Sequence, residues 1–188
     1  MIFDSHPIRF AQSLAEKLGA GWKLSFSSYF YRPSSVFDER FIFWVDAAEV
    51  TDDWLSSQLE GLPEGWELAF NSTIRDDRGR THHVGLIDFA EDATIISAQS
   101  AVHRMLGDDA LRSLSIYDSG RSYHGYISEL MIPKEWRSFL GRLLLMNGVS
   151  SAPVVDSRWI GHRLLGDYCA LRWSMNTSWY RSMPKKVW

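Results

Sequence analysis

The sequence contains a single cysteine, Cys169, among 188 residues, so no disulfide can form within the chain. A chain of this length buries enough apolar surface to fold without such crosslinks. No apolar run approaches the roughly 20 residues that a membrane-spanning helix needs. We therefore expect a soluble protein of the reducing cytoplasm that does not associate with a membrane.

Several common catalytic motifs are also missing. The sequence has no Cys-x-x-Cys, His-x-Glu or His-Glu-x-x-His spacing for zinc, and no glycine-rich Walker or Rossmann pattern. It has no internal repeat and no low-complexity segment. A metal hydrolase built from His82, His83, His103 and His124 with Asp88 stays open as a minor alternative. Adjacent histidines on a strand point to opposite faces, which argues against it.

The charge is low but unevenly distributed. The net charge of −3 argues against a general polyanion-binding protein, yet residues 151–188 carry +4 and the rest −7. A locally basic segment can bind phosphate groups on a protein that is acidic elsewhere. We interpret Lys185 and Lys186 as part of a solvated tail.

The spacing of apolar residues indicates a mixture of helices and hairpins. Helices are predicted over 7–18, 94–106 and 133–146, with a short helix capped by Thr51. Strand pairs are predicted over 22–31 with 41–47, 66–74 with 80–89, and 114–117 with 123–127, and a last strand over 168–173. This order predicts an α+β domain.

An apolar strand that ends in a carboxylate, at residues 84–91, is the first candidate for a functional site. An aspartate at a strand end is a rigid way to hold a metal ion, although Asp88 could equally cap a following helix. A similar stretch occurs at residues 45–49, where we interpret Asp46 as a structural acid or as one that supports the site without binding its ligand.

Two later stretches add groups that suit a phosphate ligand. In the first, Gly120 lets backbone amides approach an anion, and Arg121 can donate to phosphate oxygens. His124 then follows on a strand, although a lone histidine is more often a packed or surface residue. The second stretch brings Asp156 to a strand end and places Arg172 on a later strand.

These stretches, taken in order, resemble a known family. Ile87-Asp88, Ser122-Tyr123-His124 and Val155-Asp156 resemble the three motifs of archaeo-eukaryotic primases and primase-polymerases. The small bacterial primase 1D-like proteins are the nearest branch. Arg172-Trp173-Ser174 resembles the arginine-containing strand that follows the third motif. The resemblance runs from about residue 66 to residue 176.

The resemblance implies a fold, an activity and partners. It implies one domain over 1–188, with an N-terminal α/β lobe at 1–65 and an RRM-like primase-polymerase catalytic core at 66–188. The implied activity is template-directed nucleotidyl transfer in DNA replication, with nucleoside triphosphates and a single-stranded DNA or RNA template. We also expect recruitment by a protein partner from replication, repair or a mobile element, because no zinc-binding or helicase part accompanies the core.

The resemblance also implies roles for particular residues. The implied catalytic residues are Asp88, Asp156 and His124. Two Mg²⁺ or Mn²⁺ ions would be held by Asp88 and Asp156, with Glu91 as a further ligand. Nucleotide phosphates would be bound by Ser119, Arg121, Ser122, His124 and Arg172. Nucleic acid would be bound by Arg158, Arg163 and Asn176.

One position departs from the family pattern. The first motif usually carries a second acidic residue two places after the first, where both side chains face the same way. Ala90 stands there, and Glu91 is displaced by one residue. Catalysis could then be slow, dependent on Mn²⁺, supported by Glu91, or absent. In the last case the chain would be a degenerate fold that binds nucleotide or single-stranded nucleic acid. Candidates for base stacking are Trp159, Trp173 and Trp179.

Overall fold

The computed structural model describes residues 3–30, 32, 39–149 and 151–188. Its helices are α1 (Ile8–Leu18), α2 (Asp52–Glu60), α3 (Ile95–Leu106), α4 (Asp108–Ser113), α5 (Pro133–Leu144) and α6 (Ser157–Gly166). Its strands are β1 (Lys23–Phe30), β2 (Arg40–Asp46), β3 (Trp66–Arg75), β4 (Thr81–Asp88), β5 (Leu114–Asp118), β6 (Tyr123–Met131), β7 (Ala170–Arg172) and β8 (Lys185–Lys186). A short 3₁₀ turn covers Ala47–Glu49.

Local sequence signals start the helices where the pattern predicted them. Thr51 Oγ1 accepts a hydrogen bond from the amide of Trp54 and begins α2. Thr94 and Ser97 form a reciprocal capping box at the start of α3. Pro133 occupies the first turn of α5, where its missing N–H costs no helical hydrogen bond.

The strands form one antiparallel sheet of eight strands within the described residues. The strand order is β2, β1, β3, β4, β6, β5 and β8, and β7 pairs separately with β3. β1 pairs along the length of β3, so the sheet is continuous across residue 65. The mixed α+β class is therefore confirmed. The RRM-like description and the division into two lobes stay predictions.

Helices cover both faces of the sheet. Phe139 of α5 packs against Gly85 of β4, where an added Cβ would lie 3.3 Å from its ring. The next residue along β4 faces the other way. That residue, Leu86, pairs with Tyr126 of β6. The ring of Tyr126 lies 5.1 Å from the ring of Phe10 in α1. The apolar core is therefore divided into two layers, one on each side of the sheet.

One edge of β3 is shared by two strands. Residues 73–75 pair with β4, whereas residues 69–71 pair with β7. Ser72 lies between the two pairings, donating its amide to Cys169 O and accepting the amide of Cys169 on its hydroxyl. The same hydroxyl lies 3.1 Å from Nδ1 of His83 on β4. β4 and β7 therefore run in the same direction and diverge from this serine.

Some elements differ from the prediction. Helices α4 and α6 were not predicted, and α5 ends at Leu144, before the predicted residue 146. The strand predicted at 168–173 is present as β7, but it is not the last strand, because β8 follows and pairs with β5. The tail interpretation of Lys185 and Lys186 was therefore wrong for the backbone, although both side chains are exposed. Tyr31, at the end of the first predicted strand, lies outside the described residues.

Within the described residues, every helix is too short or too polar to cross a membrane.

Candidate active site

Asp88, His124 and Asp156 lie side by side on three neighbouring extended segments. Asp88 is the last residue of β4 and is the register partner of His124 on β6. On the other side of β4, Phe89 forms an antiparallel bridge with Val155, and the amide of Asp156 donates to Asp88 O at 2.9 Å. Cross-strand partners project from the same face with Cβ atoms about 5 Å apart. The structure therefore brings the three predicted residues together in one row, which we call the acidic row.

The carboxyl group of Asp88 is held in an environment that disfavours its charge. Burial, and secondly the negative charge of Asp156, raise the pKa of Asp88 to about 7. Ser122 Oγ donates to Asp88 Oδ1 at 3.3 Å and partly opposes this increase. A bound cation or a proton would therefore relieve the unfavourable charge of Asp88.

His124 is neutral and lacks a hydrogen-bond partner within the described residues. Burial, and secondly the charge of Arg172, lower the pKa of His124 to about 3. Its Nδ1 has no partner, and its Nε2 lies 3.9 Å from Asp88 Oδ1, too far for a hydrogen bond. Only 6 % of this residue is exposed. A buried imidazole without partners is costly, which favours a ligand that completes its hydrogen bonding.

Asp156 also begins a helix. Its Oδ1 accepts the amides of Arg158 and Trp159, so Asp156 is the N-cap of α6. The capping fixes the orientation of the carboxylate beside Asp88. One helix boundary thus positions the second carboxylate of the acidic row.

The turn between β5 and β6 is closed by its own serines. Ser119 Oγ donates to Ser122 O at 2.8 Å, and the amide of Ser119 donates to the same oxygen at 2.9 Å. Gly120 has φ +88°, a left-handed conformation that glycine adopts without strain. Ser122 thereby points its hydroxyl at Asp88. Ser119 is buried, and its hydrogen bonds hold the turn that positions Ser122.

Arg172 is buried and bonded mainly to backbone oxygens. Its Nη2 donates to Ser119 O at 2.5 Å and to Ser182 O at 3.2 Å, and its Nη1 donates to Ser174 O. Its guanidinium carbon lies 3.9 Å from the ring centre of Tyr180. Arg172 therefore contributes a fixed positive charge and holds the turn. Its predicted role as a phosphate ligand stays a prediction.

Glu91 lies at the mouth of the cleft and not in the acidic row. The chain continues extended through Ala90, whose amide donates to Val154 O, and turns at Glu91. The Glu91 carboxylate is 3.9 Å from Nη2 of Arg121, and both side chains are about half or more exposed. No group of three or more His, Cys, Asp or Glu side chains within the described ranges is arranged to hold a metal ion. The acidic row supplies two carboxylates.

A cleft of about 810 Å³ opens beside the acidic row. Six arginines and four carboxylates line it, on a protein whose net charge is −3. The arginines are Arg32, Arg40, Arg121, Arg158, Arg163 and Arg172. A cleft that concentrates positive charge attracts anionic ligands.

The predicted nucleic-acid residues are placed unequally. Arg158 is exposed at the start of α6 and lines the cleft. Arg163 also lines it but is only 3 % exposed, with its guanidinium 5.6 Å from the ring centre of Tyr168. Asn176 is not among the lining residues, and its amide group donates to Pro63 O and Trp66 O. Of these three, Arg158 has the most accessible charge.

Three further residues considered from the sequence lie away from the cleft or within the core. Trp173 is completely buried, so the expectation that it could stack with bases was wrong. His83 stacks on Trp136 at 4.5 Å and is buried, so it belongs to the core. Asp46 lies outside the cleft, with its carboxylate 3.1 Å from Nζ of Lys23.

Sequence reasoning missed several residues of the cleft. His162 lies on the same helix as Arg158, and Tyr29, Phe30, Trp66 and Tyr180 supply aromatic surface. Part of this signal was present in the sequence, because residues 158–163 have helical spacing of Arg, Trp and His. The aromatic residues carried no such signal, because an aromatic residue at the end of a strand more often packs in the hydrophobic core.

An acidic pair, a neutral buried histidine and an arginine-lined cleft on an antiparallel sheet could together bind a phosphorylated ligand with a divalent cation. The family model described as archaeo-eukaryotic primase 1D-like matches residues 46–185, and the chain belongs to this family. Neither a curated protein nor a solved structure gives a match to the chain.

Proposed function

We propose that the protein binds a nucleoside triphosphate beside the acidic row and transfers a nucleotide from it onto a hydroxyl group, directed by a single-stranded nucleic-acid template. The observation that carries this proposal is the row of Asp88, His124 and Asp156 on one face of the sheet. Membership of the primase family supports the same class of reaction.

The donor set suits one divalent cation. Mg²⁺ is commonly bound by one or two carboxylates together with substrate phosphates and water. Asp88 and Asp156 supply such a pair. Burial and then repulsion by Asp156 raise the pKa of Asp88, and a bound cation would offset both effects. A bound Mg²⁺ or Mn²⁺ would activate the attacking hydroxyl and neutralise charge on the leaving pyrophosphate.

The remaining side chains have separate tasks around the phosphates. His124 is neutral, so its ring N–H donates to a phosphate oxygen without adding a charge. Arg121 is exposed at the cleft mouth and can leave Glu91 to bind phosphate. Ser122 orients the Asp88 carboxylate through its hydroxyl. Arg172 adds a buried positive charge that favours anionic ligands.

Ala90 supports a second candidate function. A pair of metal ions usually needs more carboxylates than the two in the acidic row, and Glu91 lies outside that row at the mouth of the cleft. The protein would then bind nucleotide or single-stranded nucleic acid without chemistry. The same cleft would serve both functions.

A primer-extension assay tests the proposal. Purified protein is incubated with primed or unprimed single-stranded template, nucleoside triphosphates and Mg²⁺ or Mn²⁺. We expect products in the wild-type protein, and a loss of about 100-fold or more in Asp88→Asn and Asp156→Asn, because each removes a metal ligand. Asp46→Asn is the matched control, since it removes a carboxylate outside the cleft.

The outcomes separate the two candidates. Products that need Asp88 and Asp156 but not Asp46 support nucleotidyl transfer. Thermal stabilisation by a nucleoside triphosphate, lost in His124→Ala and without products under either metal, supports the binding function. If the wild-type protein shows neither products nor nucleotide binding, both candidates are wrong.

A further inference from the structure

The cleft extends beyond the acidic row to a pair of aromatic rings. Phe30 and Trp66 are register partners at the ends of β1 and β3, and their ring centres are 6.4 Å apart in an edge-to-face arrangement. Both line the cleft that contains Asp88. Near this end of β3, at residues 69–71, the strand paired with β3 is β7 and not β4, so the aromatic pair and the acidic row lie at separate parts of the same cleft. We call Phe30 and Trp66 the aromatic pair.

The backbone is shaped to hold the ring of Phe30 in the cleft. Gly65 has φ +80°, and a Cβ added there would lie 2.7 Å from a ring carbon of Phe30. Half of Phe30 is nevertheless exposed. A single exposed apolar side chain needs no explanation. The exposed ring of Phe30, however, contacts a second aromatic ring inside a cleft lined by arginines, and this combination suggests a binding surface.

Guanidinium groups accompany the rings. Arg40 lies 3.9 Å from the ring centre of Tyr29, and Arg32 lies 5.7 Å from that of Phe30. A guanidinium has five N–H donors, so an arginine that stacks on a ring can also bind phosphate oxygens. One donor of Arg40, on Nη1, contacts Ser27 Oγ at 3.5 Å. Aromatic faces next to such cations are the surface on which unpaired nucleobases stack.

We propose that the aromatic pair with Arg40 is a binding site for one unpaired nucleotide of a single-stranded polynucleotide. The base stacks on Phe30 and Trp66, and Arg40 contacts an adjacent phosphate. This inference rests on the proposed function, in which the acidic row takes the triphosphate. A polynucleotide fits better than a free nucleotide, because the cationic side chain of Arg158 and the imidazole of His162, both on α6, continue along the same cleft.

Binding of a fluorescently labelled oligothymidylate, followed by anisotropy without nucleoside triphosphate, tests the site. We expect Phe30→Leu to weaken binding by about 10-fold, because one stacked base is lost. Phe41→Leu is the matched control, since Phe41 is 68 % exposed on β2 but does not line the cleft. It should bind as the wild type does.

Arg40→Gln extends the test to the phosphate contact. It should lower the dependence of binding on salt concentration, because one fewer counterion is released. Arg75→Gln is its control. Arg75 also stacks on an aromatic ring, 4.1 Å from that of Trp44, but does not line the cleft.

A conservative variant separates stacking from folding. Phe30→Tyr keeps an aromatic ring and should retain binding within about twofold, whereas loss in Phe30→Leu with an unchanged unfolding curve supports stacking. Equal binding by Phe30→Leu and Phe41→Leu overturns the proposal. So does equal loss in Phe30→Leu and Phe30→Tyr.

Competition identifies the source of the nucleotide. Unlabelled thymidine monophosphate that displaces the oligonucleotide as well as an unlabelled oligothymidylate does would overturn the assignment to a polynucleotide. Triphosphate binding by the wild-type protein is measured separately by thermal shift. Its absence would contradict the proposed function, while Phe30-dependent oligonucleotide binding would still support the site.

Discussion

Arg172 and Ser119, which are 53 residues apart in the sequence, are joined by a hydrogen bond of 2.5 Å from the guanidinium Nη2 to the backbone carbonyl. The bond connects β7 to the turn that carries Ser122 and leads into His124. Through it, the buried arginine positions the turn beside the acidic row. The planar guanidinium reaches several carbonyls at once, which an ammonium group cannot do in the same geometry.

Arg172→Lys should therefore destabilise the protein despite conserving the charge. The carbonyls of Ser119, Ser174 and Ser182 lose donors, and we expect a decrease of about 2 kcal/mol in the free energy of unfolding. Urea denaturation measures it. Arg75→Lys is the control, because Arg75 is exposed and its stacking on Trp44 contributes less than about 1 kcal/mol. Equal losses in both variants would contradict a positioning role for Arg172.

Gly120→Ala should disturb the turn through contact as well as through backbone strain. An added Cβ would lie 2.7 Å from Ser182 Oγ. Gly79 has a similar left-handed φ of +76° with nothing within 4 Å, so Gly79→Ala measures the strain alone, about 1 kcal/mol. We expect Gly120→Ala to lose more stability than Gly79→Ala and also to weaken nucleotide binding. Equal unfolding curves for the two variants would argue against the contact.

Asp88→Asn should stabilise the metal-free protein at high pH. The pKa of Asp88 is about 7 in the folded state and 3.8 ordinarily. Between these values the folded protein binds more protons than the unfolded chain, so this group's contribution to stability falls as the pH rises. Relative to the wild type, the variant should gain about 1–3 kcal/mol between pH 5 and pH 8. Thermal and urea unfolding check the gain.

Asp46→Asn is the control for that gain, since it removes a half-exposed carboxylate outside the cleft. A pH-dependent gain of the same size in this variant would contradict burial of Asp88 as the cause.

Metal binding should show the opposite pH dependence. Because Asp88 must lose a proton to bind a cation, affinity for Mn²⁺ should fall by up to about tenfold for each pH unit below 7. The measurement is the increase in melting temperature on adding Mn²⁺ at pH 6 and pH 8. The increase should be larger at pH 8 and absent in Asp88→Asn. A larger effect at pH 6 would place the metal elsewhere.

His6→Ala should loosen the segment before α1. The Nε2 of His6 lies 2.8 Å from Trp173 O, and its Nδ1 accepts the amide of Ile8. Removing the ring leaves both backbone groups unsatisfied, at a cost of about 2–3 kcal/mol at pH 7. His103→Ala, which changes an exposed histidine on α3, should cost less than about 0.5 kcal/mol.

The same variant should change acid sensitivity. Burial lowers the pKa of His6 to about 4 from the usual 6.5, so in this range the unfolded chain binds more protons. The wild-type protein therefore loses stability from this group as the pH falls from 6.5 to 4. His6→Ala should lose stability less steeply over that range. Parallel losses in the two proteins would contradict a buried neutral His6.

Sequence patterns predicted the parts of the fold that local chemistry determines. The helices after Thr51, Thr94 and Ile132 begin as expected, because capping residues and proline act over one turn. The hairpins were predicted from alternation and turn residues. α6 was missed, because its first turn coincides with the candidate carboxylate, Asp156, and a residue assigned to a strand end was found to cap a helix.

The sequence predicted which residues form the candidate site better than it predicted how they are arranged. Motif order indicated Asp88, His124 and Asp156, and the structure aligns them across β6, β4 and the segment before α6. The restraint of Arg172 by three carbonyls could not be predicted, since it depends on how the segment after β7 returns over the turn. The aromatic pair was missed because burial depends on the whole sheet.

The two strands that leave the same edge of β3 have a consequence for the shape of the cleft. Asp88 ends one of them and Arg172 ends the other, and both strands are tied at their divergence to the hydroxyl of Ser72. The strands that carry Asp88 and Arg172 are therefore both attached to a buried serine, Ser72, which does not line the cleft. We therefore expect Ser72→Ala, which removes one oxygen atom, to change the separation of Asp88 and Arg172.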